Sequence, residues 1–138
     1  MGKRRRAREM VLQALYEAEF SDRGALEIVD EQIMRRAPSD ATATHARDLF
    51  LMTMEKRADL DHIIRSVLDN WELERVSLVD RNILRFALAE VLYFPEVPAK
   101  VIIDEAIEVA HRYSSDDAGR FVNGLLDRMV REFRKESV

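Results

Sequence analysis

The chain has 138 residues and no cysteine, and its 47% of hydrophobic residues suits a single domain with a core. These numbers exclude a wholly disordered chain, disulfides, and cysteine-based metal or catalytic sites. No run of hydrophobic residues exceeds four, which excludes a membrane span and a signal peptide, so we expect a soluble cytoplasmic protein.

The net charge of −4 conceals an uneven distribution of charge. Five cations stand within the first eight residues and are called the basic arm below: Lys3, Arg4, Arg5, Arg6 and Arg8. The rest of the chain has 17 basic residues against 26 acidic ones. The distribution of charge therefore says more about partners than the net value does.

The first segment predicts a helix from about Arg4 to Glu19. Its apolar residues recur at helical spacing: Ala7, Val11, Ala14, Leu15 and Ala18. Its polar strip is narrow: Arg6, Glu9, Gln13 and Glu17. Because the apolar arc is so broad, we expect this helix to pack on several sides.

Two further helical segments are predicted before residue 70. One carries apolar residues from Leu26 to Met34 and ends before Pro38, and residues 38–44 have the composition of a loop. The other runs through apolar residues from Leu49 to Leu68. Whether it is one helix, or two with a break around residues 57–61, stays open.

The second half of the chain predicts a connection over residues 71–76 and then three helices. The first is capped by Ser77 and ends at Pro95, and the second begins near Pro98. The third follows a cap within residues 114–117. The chain is therefore predicted to be an all-α domain of six or seven helices.

The signatures of enzymes and metal sites are incomplete in this chain. Asp59, Asp61 and His62 have no fourth donor nearby and are expected to form a solvated helix edge. Gly119 and Gly124 have the spacing of P-loop glycines, but two leucines stand where that loop needs Lys and Ser or Thr. We expect no catalysis, no metal and no cofactor.

The basic arm is the strongest functional signal that the residues themselves provide. Its like charges crowd into two helical turns, and an anionic partner would relieve their repulsion. Arginine forms forked hydrogen bonds to phosphate and stacks on bases, which favours nucleic acid. A solvated terminus without a partner, and an acidic protein or membrane surface, remain as alternatives.

Residues 115–124 form a second unusual segment. Gly119 is costly inside a helix, by about 1 kcal/mol relative to Ala, which indicates a helix start or a close backbone approach. Asn123, flanked by apolar residues, is expected to lie near the interior and tie a neighbouring loop or helix end.

These residues together resemble the NusB-type transcription antitermination factors of bacteria, over essentially the whole chain. The matching segments are Arg4–Glu9, Leu12–Tyr16, Ile83–Arg85, Ala87–Leu92, Val97–Val101, Asp104–Ala110 and Phe121–Asp127. The chain departs from the family in two places. Asp104 stands where the family often has Asn, and His111–Arg112 replaces a pair that usually contains Lys.

The resemblance implies a fold of two small helical bundles that share the first helix, with residues 1–70 and 71–138 as the two halves. It also implies a non-enzymatic role without a cofactor. In that role the protein binds the boxA sequence of ribosomal RNA leaders together with NusE, a ribosomal small-subunit protein. The pair then joins RNA polymerase and other Nus factors.

The resemblance also assigns roles to residues. RNA contacts are implied for the basic arm and for the start of the last helix, at Asp117, Arg120 and Phe121. The surface that faces NusE is implied to include Tyr16 and Asp80. Members of the family occur as monomers and as homodimers, so a homodimer stays possible.

Two other functions are weighed against this one. Some ribosomal RNA methyltransferases carry a NusB-like N-terminal domain, but such an enzyme needs a further α/β domain with a Gly-rich cofactor loop. That alternative fails if these 138 residues are the full gene product. The other alternative is a helical adaptor that binds only proteins.

Overall fold

The computed structural model describes residues 2–69 and 72–134, and the side chains of residues 5–69 and 72–134. Within these ranges the regular elements are all helical, which confirms the predicted all-α class. The helices are α1 (Gly2–Glu19), α2 (Ala25–Arg36), α3 (Asp40–Glu55), α4 (Arg57–Val67), α5 (Leu78–Tyr93), α6 (Ala99–Tyr113) and α7 (Asp116–Phe133). A 3-10 turn over Leu73–Arg75 precedes α5, and no described helix is long and apolar enough to cross a bilayer.

Serine hydroxyls cap three of these helices. The hydroxyl of Ser77 accepts a hydrogen bond from the backbone N–H of Asp80, and Ser115 does the same for Ala118, as the sequence predicts. Ser39 caps α3 in the same way, so α3 begins at Asp40. The prediction of a loop over residues 38–44 is therefore wrong, because this cap starts the helix inside that stretch.

The long third segment is two helices. Lys56 ends α3 and precedes α4, with its backbone N–H bonded to the carbonyl of Met52 and its own carbonyl bonded to the N–H of Leu60. The break lies next to Arg57, at the edge of the region around which the sequence allowed it. It lets α4 turn away from α3 and pack on α5.

Helix α1 contacts two groups of helices. It packs on α2 and α3 and also on α5 and α6, as expected for a helix with a broad apolar arc. Helix α5 is covered by α1, α3, α4, α6 and α7, and every residue from Asn82 to Val91 is buried. The boundary at residue 70 stays a prediction, since α4 packs mainly on α5.

A buried polar cluster joins α1, α4 and α5. The Arg85 guanidinium, 3% exposed, lies 2.7 Å from Oδ1 of Asp61 and 3.4 Å from Oε1 of Glu19. Asp61 was expected on a solvated helix edge. It is buried instead, because its carboxylate compensates the buried charge of Arg85.

Candidate nucleic-acid and partner interface

Two ion pairs fix the beginning of α1 to α6. Nε of Arg5 lies 3.1 Å from Oε1 of Glu105, and Oε2 of Glu9 lies 2.6 Å from Nη1 of Arg112. Arg5 and Glu9 are one helical turn apart, and their partners follow each other in the same order along α6. Helices α1 and α6 therefore run side by side in the same direction over this stretch.

The start of α7 lies against the last turn of α6. A Cβ atom built on Gly119 would stand 2.2 Å from Nε2 of His111, so only glycine fits under the imidazole as it is placed. Of the two alternatives that the sequence left open at Gly119, this contact confirms the close approach, in the first turns of a helix that begins at Asp116. Helix α6 thus connects the basic arm to the start of α7, and these three regions are called the basic face below.

The predicted RNA-binding residues of α7 lie at the surface or at its margin. Asp117 and Arg120 are exposed and paired, with Nη2 of Arg120 2.5 Å from Oδ1 of Asp117. Phe121 is half-buried at the edge of the core, as its angular position predicts. Asn123 is exposed, so the prediction that it lies near the interior is wrong. It is turned away from the buried face that Val122 and Leu126 form.

The residues of the basic arm point in different directions. Arg5 turns to α6, whereas exposed Arg6 donates to the backbone carbonyl of Arg36 at the end of α2, at 2.7 Å. Arg8 turns inward and is fully buried. The side chains of Lys3 and Arg4 lie outside the described residues.

Arg8 is a correction to the predicted RNA-binding set. Its Nε donates to Oε1 of Glu90 at 2.7 Å and its Nη2 to Oε2 at 2.5 Å, and both side chains are fully shielded from solvent. A guanidinium held in this way cannot reach a phosphate at the surface. The position of Arg8 in the sequence indicated that it could be buried, since it shares a face of α1 with Val11 and Leu15.

Glu90 has a second neighbour, the imidazole of His45. Nε2 of His45 lies 3.3 Å from Oε2 of Glu90, within ion-pair distance although the ring nitrogen makes no well-aligned hydrogen bond there. Burial by itself would raise the pKa of Glu90, but His45 and Arg8 outweigh it and hold that pKa below its ordinary value. Glu90 is therefore charged at neutral pH.

The predicted protein-binding residues lie beside an open groove. This cavity of about 330 Å³ is formed by α1, α2, α5 and α6, and Tyr16, Val79 and Tyr113 line it. Tyr16 is 48% exposed, and its ring centre lies 5.1 Å from that of the exposed Phe20. Such a cluster of accessible aromatic rings is typical of protein interfaces.

Polar atoms near this groove lack hydrogen-bond partners among the described residues. Gln32 lines the groove and is buried, and its Oε1 accepts no hydrogen bond. Asp80 follows Val79 in the first turn of α5, and its buried Oδ1 also has no partner. Buried acceptors without donors are costly, so both atoms add polar strain at the edge of the groove.

Sequence reasoning missed three residues of these surfaces. Gln32 and Tyr113 in the groove were only weakly indicated by the sequence, as a polar residue and an aromatic residue on amphipathic helices. Arg112 carried none as a functional residue, because its partner Glu9 is 103 positions away in the sequence.

Comparison with known proteins places these features in a family. The model of the NusB family matches residues 5–131. The chain is 42% identical over 133 residues to the transcription antitermination protein NusB of Salinibacter ruber, covering 94% of this chain and 82% of that protein. It is also 42% identical over 131 residues to the protein of the same name from Sorangium cellulosum, covering 94% and 93%.

Solved structures show the same fold. NusB of T. maritima superimposes with a TM-score of 0.86 at 39% identity, over 94% of this chain and 91% of that one. A structure of antitermination factors NusB and NusE in complex with dsRNA gives a TM-score of 0.86 at 22% identity, over 96% and 99%. At that identity the second likeness concerns the fold alone.

Proposed function

The chain belongs to the NusB family, whose matching curated members are transcription antitermination proteins, and we propose that it binds boxA-type RNA together with NusE. The RNA is the leader of a ribosomal transcript. The complex then joins RNA polymerase and other Nus factors and supports processive transcription. A protein of the same fold has been solved with NusE and double-stranded RNA, which supports both classes of partner.

The observation that supports the RNA-binding part is that the basic arm and the start of α7 pack on the same helix, α6. The basic arm and the start of α7 are separated by more than a hundred residues in the sequence, yet both lie against α6, the arm at Glu105 and the start of α7 at His111. Arginines bind phosphates, and the half-buried ring of Phe121 can stack on an unpaired base. This combination favours single-stranded RNA over a duplex.

The groove beside Tyr16 carries the protein-binding part of the proposal. Leu12 and Val79 line it, and the ring of Tyr16 is accessible from it. A protein segment that inserts apolar side chains would fill this groove and contact the accessible rings. The groove is formed in part by Tyr113, next in sequence to Arg112 of the basic face, so RNA and NusE would bind side by side.

The proposal also includes a non-enzymatic role in the cytoplasm, where bacterial transcripts are made. The family's description as antitermination proteins supports both statements. Among the described residues, no group of three or more His, Asp and Glu side chains could hold a metal ion. The proposal also allows a homodimer, as a state in addition to the monomer.

The direct test is RNA binding measured by fluorescence anisotropy. We expect a boxA-like RNA to bind more tightly than a scrambled RNA of the same length and composition, and purified NusE to increase the affinity further. Equal affinity for the two RNAs, with no effect of NusE, would contradict the proposal.

The contribution of the basic arm can be tested separately by replacing Arg4, Arg5 and Arg6 with Ala. For each phosphate that the arm no longer neutralises, the slope of log affinity against log salt should fall by about 0.7. The matched control replaces three exposed arginines elsewhere: Arg65, Arg75 and Arg131. If both triple variants change the slope equally, the arm has no special role in RNA binding.

A further inference from the structure

Arg112 occupies the middle of the basic face. It lies in the last turn of α6, one residue after the imidazole that covers Gly119 of α7. On its other side it is bonded to Glu9, one turn along α1 from Arg5. Arg112 is thus the described cation that stands between the basic arm and the start of α7.

The surroundings of Arg112 hold its guanidinium in place and leave it accessible. The hydrogen bond to Glu9 raises the pKa of Arg112. The carboxylate of Glu9 lies one helical turn along α1 from Arg5, so both cations face the side of α1 that packs on α6. The side chain of Arg112 is 63% exposed, whereas Glu9 is 10% exposed. A guanidinium has five N–H donors, so a bond to one carboxylate oxygen leaves others for a phosphate.

We propose that Arg112 binds a phosphate of the RNA and continues its path from Arg5 to Arg120 and Phe121. Glu9 acts as a positioning residue, because it fixes one edge of the guanidinium and turns the other toward solvent. The inference rests on the proposed RNA-binding function and adds a contact on α6 to those at the two helix starts. The competing role is purely structural, with Arg112 only fastening α6 to α1.

The test compares RNA affinity over a series of salt concentrations for Arg112→Gln and a matched control. We expect Arg112→Gln to bind boxA-like RNA more weakly and with a slope lower by about 0.7, which corresponds to one phosphate that is no longer neutralised. The control is Arg131→Gln, which removes an exposed arginine paired with Asp127 near the far end of α7. This control should leave both the RNA affinity and the slope unchanged.

Two further variants separate a phosphate contact from other effects. Arg112→Lys keeps the charge and should retain the slope, with some loss of affinity because the forked geometry is lost. The double variant Glu9→Gln/Arg112→Gln removes the carboxylate that Arg112→Gln exposes. If the double variant binds like the wild type, repulsion by Glu9 explains the loss and the proposal is wrong.

The outcomes also distinguish this inference from the function on which it rests. Suppose that Arg112→Gln leaves the slope of log affinity against log salt unchanged, while replacing Arg4, Arg5 and Arg6 with Ala lowers RNA affinity. The role of Arg112 is then overturned, and the RNA-binding function stands. If the wild-type protein does not prefer boxA-like RNA to the scrambled RNA, both the role of Arg112 and the proposed function are overturned.

Discussion

Arg8 of α1 and Glu90 of α5 form an ion pair with two hydrogen bonds that has no contact with solvent. The pair connects α1, which packs on four other helices, to α5, in which every residue from Asn82 to Val91 is buried. Charges in such a place are stabilising only while both are present, since either one alone is buried without compensation. Arg8 therefore belongs to the architecture, although its neighbours in sequence belong to the RNA-binding proposal.

The first prediction concerns the stability that depends on this pair. Arg8→Met should lower the free energy of unfolding by about 3–5 kcal/mol, because it leaves the Glu90 carboxylate uncompensated in the core. Urea unfolding followed by circular dichroism measures this loss. The control is Arg35→Met, whose exposed pair with Glu31 should contribute no more than about 1 kcal/mol. Equal losses in the two variants would contradict the prediction.

The second prediction concerns acid. The pKa of Glu90 in the folded protein lies below its ordinary value of 4.5, so between the two values the unfolded chain binds more protons. The stabilisation from Glu90 is then complete above about 4.5 and is lost as the pH falls through the folded-state pKa. Glu90→Gln should accordingly lose more stability at pH 7 than in strong acid. The same loss at every pH would show that ionisation of Glu90 does not contribute.

The third prediction concerns Tyr16. Tyr16→Ala should weaken NusE binding by about 1–2 kcal/mol, with a smaller loss of folding stability because the side chain is only half-buried. Isothermal titration calorimetry and thermal unfolding measure the two effects. Met34→Ala, at an 82% exposed residue of α2, is the control for loss of an exposed apolar side chain. A large fall in melting temperature with unaltered NusE affinity would place Tyr16 in the core.

The fourth prediction concerns Phe121. Phe121→Leu keeps most of the apolar burial at the edge of the core but removes the aromatic face, so stability should be nearly native. RNA affinity should fall by about 1–3 kcal/mol if the ring stacks on a base. Phe133→Leu is the control, because Phe133 lies in the last turn of the same helix. If Leu at position 121 binds RNA as tightly as Phe does, the ring serves only the core.

The course of the helices was largely predictable from the sequence. Apolar periodicity and serine caps act within a few residues, so α1, α5 and α7 begin and end close to the predicted positions. The missed start of α3 has a local cause as well, the cap at Ser39. The break at Lys56 was less predictable, because apolar spacing continues on both sides of it.

The candidate site was predictable in part. Phe121, Arg120 and Tyr16 are accessible as expected, and the close approach at Gly119 was indicated by the cost of glycine in a helix. Arg112 was missed, because its environment is made by Glu9 on a distant helix. Neither residue indicates the other in the sequence.

The sequence by itself determined the all-α class, the approximate helices and the likeness to the NusB family, because periodicity, caps and family segments are local properties. It presented the arginines of the basic arm as equivalent. Only the tertiary structure decided that Arg5 is held at the surface by Glu105, that Arg6 reaches the end of α2, and that Arg8 is buried with Glu90. The physical reason is that a charge can meet RNA only where it stays accessible, and accessibility depends on which distant helices pack around it.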